Sequence, residues 1–195
     1  MTARLILKRT IQAVALLMVS PMALVSSFGK IGALQELFAQ SLAVVPGFPG
    51  VFLRSAYYRL TLENCSIDVV IGFGSFFSRR RVVVQSNVSI GSYCVIGQAH
   101  IGARTQIASH VEIPGKGQHS RDATGRLSGP VDAPEAAVSI GSDCWIGASA
   151  IVMANIGDAS TIGAGSVVVK EIPRSVIAVG SPAKPIRPSL EVEAS

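Results

Sequence analysis

The side chains of this 195-residue chain best suited to proton transfer, metal binding or nucleophilic attack are His100, His110, His119, Cys65, Cys94 and Cys144. Histidine changes charge near neutral pH, so it is the natural general base. His119 lies in residues 114–137, PGKGQHSRDATGRLSGPVDAPEAA, which has no apolar period and is rich in Gly, Pro and Ala. A long excursion from regular structure usually carries function. The cysteines are odd in number and form no CxxC, so neither a disulfide framework nor a zinc knuckle is indicated. They read as small core residues of a reducing compartment. His100 and His110 read as surface residues. Arg79-Arg80-Arg81 reads as a solvated basic corner, with contact to a lipid phosphate as the sharper reading.

The element that must position these residues is a repeat. Ile140, Ile146 and Val152 fall six residues apart, each preceded by a small or apolar residue two positions earlier (Val138, Cys144, Ala150). Six is the period of neither a helix nor a simple strand. It reads as a short strand plus a corner, stable only when turns stack on one another. Inward positions assigned on this beat are Ile71, Phe77, Val84, Ile90, Ile96, Ile101, Ile107 and Ile113, then Ile140, Ile146, Val152, Ile156, Ile162 and Val168. The spacings are 6, 7, 6, 6, 5, 6, 6 before the insertion and 6, 6, 4, 6, 6 after it. Off-period steps should be corners that bulge or tighten. Three strands per turn predict a triangular prism of about five turns, and VIAV at 176–179 reads as a further strand.

Charge divides the chain. Residues 1–60 hold six basic residues and one acid, hence +5, whereas residues 61–195 hold eleven of each and are neutral. A nucleic-acid-binding body would carry a basic face with stacking aromatics, and this one does not. Ile11 to Phe28 contains no charged residue, and Pro21 should break that run. Four readings of the N-terminus stand open: helices lying in a membrane interface, a re-entrant hairpin broken at Pro21, a single span, or a signal peptide. A span would send the body outside, because Arg4, Lys8 and Arg9 would hold the N-terminus in the cytoplasm. The interfacial reading predicts membrane-surface contact through residues 1–45 and a peripheral location at the inner face of the cytoplasmic membrane. Pro46 to Gly50 marks a turn, and Val51 to Asn64 reads as a helix capping the first turn of the repeat.

SIGSDCWIGASAIVM, IGDASTIGAGSVVVKEIP and VIAVGSPAKPIR resemble the hexapeptide-repeat acyltransferases, whose fold is a left-handed parallel β-helix. The resemblance is greatest to the galactoside and maltose acetyltransferases and to colanic-acid-type acetyltransferases of exopolysaccharide synthesis. It implies an all-β repeat domain over 66–188, with a helical extension at 1–65, an inserted loop at 114–137 and a tail at 189–195. It also implies a homotrimer with active sites between subunits, and an acetyl-CoA donor used without a metal. The family's catalytic histidine follows a glycine by four residues in the long loop, which matches Gly115 and His119. His119 is therefore expected to take the proton of a sugar hydroxyl. Ala148, Ala164 and Val169 are expected to line the pantetheine groove, Lys184 and Arg187 to meet the nucleotide phosphates, and Lys170 to assist. Trp145 is expected at the start of a corner, stacking on the donor or packing between subunits, with Cys144 beside it in the wall of the cleft. The chain departs from the family pattern at Val169, where threonine is common, and at Lys184, where arginine is common. Two other readings stay open: a zinc hydratase of the carbonic-anhydrase-like β-helix branch, whose close H-x4-H pair is absent here, and a non-catalytic scaffold.

Overall fold

The computed structural model describes residues 3–116, 121–127 and 136–188. Three helices come first: α1 (Ala3–Val25), α2 (Gly32–Ala43) and α3 (Gly47–Thr61). The hexads then coil. Turn one is β1 (Asn64–Cys65), β2 (Val70–Ile71) and β3 (Phe76–Phe77). Turn two is β4 (Val83–Val84), β5 (Ser89–Ile90) and β6 (Val95–Ile96). Turn three is β7 (Ala99–Ile101), β8 (Gln106–Ile107) and β9 (Glu112–Ile113). Turn four is β10 (Val138–Ile140), β11 (Trp145–Ile146) and β12 (Ile151–Val152). Turn five enters through a bridge at Ile156 and continues as β13 (Thr161–Ile162) and β14 (Val167–Val168). A bridge at Ile172 opens a sixth turn, of β15 (Val176–Val179) and the antiparallel β16 (Lys184–Pro188).

The prism therefore has about six turns rather than five. The inward positions outside the assigned beat are Cys65 and Ala178, small residues that do not stand out as aliphatics, and Ile172, which follows Val168 by only four residues. Stacked strands form three parallel faces. Sheet A is β1-β4-β7-β10, sheet B is β2-β5-β8-β11-β13-β15 edged by β16, and sheet C is β3-β6-β9-β12-β14. In-register pairing puts Ile71, Ile90, Ile107, Ile146 and Ile162 in one buried column of sheet B. The small second positions, Val88, Cys94, Ala99, Thr105, Val111, Ser160 and Ser166, are buried beside such columns. Burial raises the pKa of all three thiols, that of Cys65 to about 12.

Every step from sheet A to B, and from B to C, is six residues. All departures fall on the edge from C to A: seven residues between Phe77 and Val84, five between Ile96 and Ile101, the long insertion after Ile113, and four both between Val152 and Ile156 and between Val168 and Ile172. The other two edges are regular, and there the third corner residue adopts a left-handed backbone, as at Asn87, Arg104, Asp143, Tyr93, His110 and Ser149.

The helices cover the open first turn, where bare strand edges would otherwise be exposed. α1 does not break at Pro21. The carbonyl of Leu17 that loses its amide partner there accepts the Ser20 hydroxyl instead, at 2.9 Å. The chain reverses later, after Val25, where the Phe28 amide bonds the Ala23 carbonyl. The Pro46–Gly50 segment is also no free turn. Its residues from Gly47 form the start of α3, where Pro49 lacks only an amide that a first turn leaves unpaired. Arg54 of α3 is 0% exposed. Its Nε donates to the Ile71 carbonyl at 2.9 Å, and its Nη1 donates to Leu42 at 3.0 Å and Val45 at 2.8 Å. One guanidinium thus ties the C-terminus of α2 to the first coil, and the helix dipole there favours a cation. Burial lowers the Arg54 pKa while Tyr58 opposes the shift. Gly50 leaves room for this arrangement, since a Cβ there would strike the Val45 carbonyl oxygen.

Candidate functional site

The irregular C-to-A edge carries the inserted loop. The loop's two ends are pinned together by the Lys116 amide donating to the Ala136 carbonyl at 2.6 Å, and its exit is tied to the coil below by the Val138 amide donating to the Gln98 carbonyl at 3.0 Å. His119 itself lies outside the described residues. One coil on, the Asn155 side-chain oxygen accepts the Ser139 amide at 2.9 Å, and its backbone carbonyl accepts that of Ile172 at 2.9 Å. Val169 and Lys170 follow on the same edge, both exposed.

The regular B-to-C edge carries the other expected groove residues. Ala148 and Ala164 stack one above the other, both exposed, with the Gly165 amide donating to the Ala148 carbonyl at 2.8 Å. The amides of Ala148 and Ala164 have no hydrogen-bond partner among the described residues. A side chain at Gly165 would meet only open space. This edge is thus slim and offers outward donors that suit the amide carbonyls of a chain-like ligand such as pantetheine. Lys184 of β16 lies exposed opposite Val179, at the top of that edge. Arg187 pairs through its backbone with Ile177, and its side chain is outside the described set.

Two expectations need correcting. Trp145 does not begin a corner. It stands 53% exposed on the flat outer face of sheet B, between Gln106 and Thr161, because the corner is completed by Asp143 in a left-handed conformation. Cys144 is not part of a cleft wall. It is 2% exposed in the core, and its thiol donates to the Gly157 carbonyl at 3.2 Å. Strand alternation explains both, because adjacent residues face opposite sides.

Sheet C therefore separates the expected residues of one chain into two groups. Ala148, Ala164 and Lys184 lie toward one edge, and the loop ends, Val169 and Lys170 lie on the other. His110 stacks on Tyr93 at 5.3 Å with an interplanar angle of 14° on the B-to-C edge, whereas His100 points out from sheet A. Among the described residues no three His, Cys, Asp or Glu side chains gather as metal ligands do. Sequence reading missed the forked pair in which Arg104 donates twice to Asp143, each bond 2.6 Å. These bonds hold Asp143 below the usual carboxylate range. The two residues are 39 positions apart across the insertion, so only the coil makes them neighbours.

The sequence pattern described as the hexapeptide repeat of succinyl-transferase matches residues 137–170. The geometry extends that repeat in both directions, from Cys65 to Ala178. These residues thus carry the hexapeptide-repeat pattern. Over 52 residues it is 46% identical to the galactoside O-acetyltransferase of Escherichia coli, which covers 26% of each protein. Over 52 residues it is 54% identical to a putative acetyltransferase of Schizosaccharomyces pombe, covering 26% of this chain and 25% of the relative. The chain thus spans about a quarter of the length of such curated relatives. Among solved structures, a maltose O-acetyltransferase from Clostridium difficile superposes with a TM-score of 0.66 at 22% identity, over 83% of this chain and 89% of that one. The fold is accordingly the left-handed parallel β-helix that the resemblance implied.

Proposed function

We propose that the protein is an acyl-CoA-dependent O-acetyltransferase acting on a sugar hydroxyl of a glycan or polysaccharide precursor, with His119 as general base. The carrying observation is that the chain's one long insertion, which holds the Gly115–His119 pattern, leaves the prism on its only irregular edge. The stretch of 46% identity to a galactoside O-acetyltransferase supports the reaction class.

A sugar hydroxyl is a weak nucleophile at neutral pH, and a thioester is already an activated acyl group, so one base near pKa 7 is sufficient. His119 accepts the hydroxyl proton as the oxygen attacks the thioester carbonyl carbon. The tetrahedral oxyanion is held by a backbone amide. The carbon–sulfur bond then breaks, His119 returns the proton to the departing thiolate, and an ester and free CoA thiol leave. Ala148 and Ala164 supply amides along the donor, while Val169 lines it. Lys184 and Arg187 face its phosphates, assisted by Lys170. Trp145 packs between subunits or stacks on the donor.

The division of these residues over two edges favours a homotrimer, in which the B-to-C edge of one copy meets the C-to-A edge of the next. Outward Phe76, Val95, Ile151 and Val167, with Glu112 as the one charge among them, make sheet C a largely apolar face suited to that contact.

The test is transfer from acetyl-CoA to a panel of sugars by His119→Ala. General-base assistance is worth about 10²–10⁴-fold, so kcat should fall by at least about a hundredfold while CoA binding persists. A variant that stays within a few-fold of wild type would sink the assignment.

A further inference from the structure

At the opposite end of the coil from Lys184, a cavity of about 600 Å³ opens between the start of α2 and the corner Ser78–Arg81. Lys30, Arg79, Arg80 and Arg81 line it, against one acid, Glu36. Glu36 is engaged by the Gln40 amide at 3.1 Å. The α2 residues Gly32 and Ala33 form another part of the wall, and no side chain caps this helix. An uncapped helix N-terminus attracts anions through its free amides and dipole. A second, independent feature points to a ligand. Gln35, also in the wall, is 3% exposed, and its side-chain Nε2 has no hydrogen-bond partner. A buried donor left unpaired costs roughly what a hydrogen bond is worth, so such donors are rare unless something meets them.

The cavity also has apolar surroundings. α1 buries only Gln12, Ala15, Val19 and Ala23 and turns Leu17, Met18, Leu24 and Val25 outward. Exposed Phe28 and Ile31 continue that surface into the segment that forms the wall, and the Phe28 carbonyl accepts from Arg80 Nε at 3.3 Å. Phosphate-binding groups beside a broad exposed apolar face match one kind of ligand, an anionic amphiphile in a bilayer.

We propose that this cavity binds the phosphate headgroup of an anionic membrane lipid, while the exposed side of α1 inserts among the neighbouring acyl chains. Binding is measured without acyl donor, so the proposal stands or falls independently of the transfer reading.

The experiment is co-sedimentation of the full chain with phosphatidylcholine vesicles, with and without about one lipid in five replaced by phosphatidate. Binding is expected only with phosphatidate and should be competed by inorganic pyrophosphate. Lys30→Ala with Arg79→Ala should weaken it by roughly twentyfold, since each basic group near an anionic surface contributes several-fold. Gln35→Leu should also weaken binding while leaving thermal stability equal or higher, which separates lost recognition from lost folding. The control removes two exposed cations that do not line the cavity, Arg126 and Arg174. Equal losses from the control pair would mean diffuse attraction and overturn the proposal. Pyrophosphate binding without vesicle binding, or vesicle binding indifferent to Lys30 and Arg79, would overturn it as well.

Discussion

At the residue scale, Arg54 is the most consequential side chain that carries no chemistry. Its Nε and Nη1 donate to carbonyls rather than to a carboxylate, while its buried Nη2 has no partner among the described residues, so its removal strands several acceptors in a dry environment. Hydrogen bonds to a charged group are worth about 1.5–3 kcal/mol each. Arg54→Met should therefore lower the stability of the chain by roughly 3 kcal/mol or more, read as a shift in the urea midpoint. A shift within experimental error would show that α2 and the first coil hold together without it. No local pattern marks this arginine. It sits in a helix whose other buried residues, Tyr57 and Tyr58 among them, give no sign that a charge belongs with them.

At the element scale, α1 is long and apolar enough to cross a membrane, yet it is fastened to the body. Lys8 pairs with Asp68 at 3.1 Å, and Gln12 Nε2 donates to the Ile67 carbonyl at 3.1 Å. Burial alone would raise the Asp68 pKa. The bonds and charges of Lys8, Gln12 and Arg9 outweigh it, and the net shift is downward. A carboxylate depressed in the folded state contributes stability that is complete above its unfolded pKa of about 3.9 and is lost as pH falls through the lower folded value. The α1 tether should thus hold at neutral pH and loosen below about pH 4. Hydrogen-exchange protection over residues 3–14 should fall in Asp68→Asn at pH 7 while that of α3 is unchanged. Unaltered protection in α1 would assign the tether to packing alone. A helix held along the body in this way suits an interfacial position better than a free span.

At the scale of the whole molecule, the prism has two regular edges and one that admits changes of length. A corner that reconnects stacked strands can lengthen without disturbing the columns, because its loop runs over the surface. With its donor-side and loop-side residues on different edges, one copy offers half of each proposed transfer site. Sedimentation velocity should therefore give about three times the monomer mass of 20.3 kDa. Replacing both Val95 and Val167 on sheet C by Asp should dissociate that assembly and abolish transfer together. A monomer with full activity would refute the two-edge arrangement.

The six-residue beat was legible without coordinates because each hexad repeats one physical demand, an aliphatic residue facing inward beside a small one. The phase held from Ile71 to Val168 and identified the insertion by its interruption. At its ends, Cys65 and Ala178 were left out because small residues satisfy the same demand without announcing it, and Ile172 because it follows Val168 off the beat. Ala148 and Ala164, expected in the donor groove, lie on an exposed corner; Cys144 is the small core residue its position implied rather than part of a cleft wall, and Trp145 was misplaced by the one-residue alternation that a strand imposes. What could not be read from order along the chain is which corners share an edge, because that depends on the closure of three strands into one turn. The same holds for the meeting of Lys30, Gln35 and Arg79, about fifty residues apart. A coil and its cap place side chains together by stacking and packing, and neither leaves a local trace in the sequence.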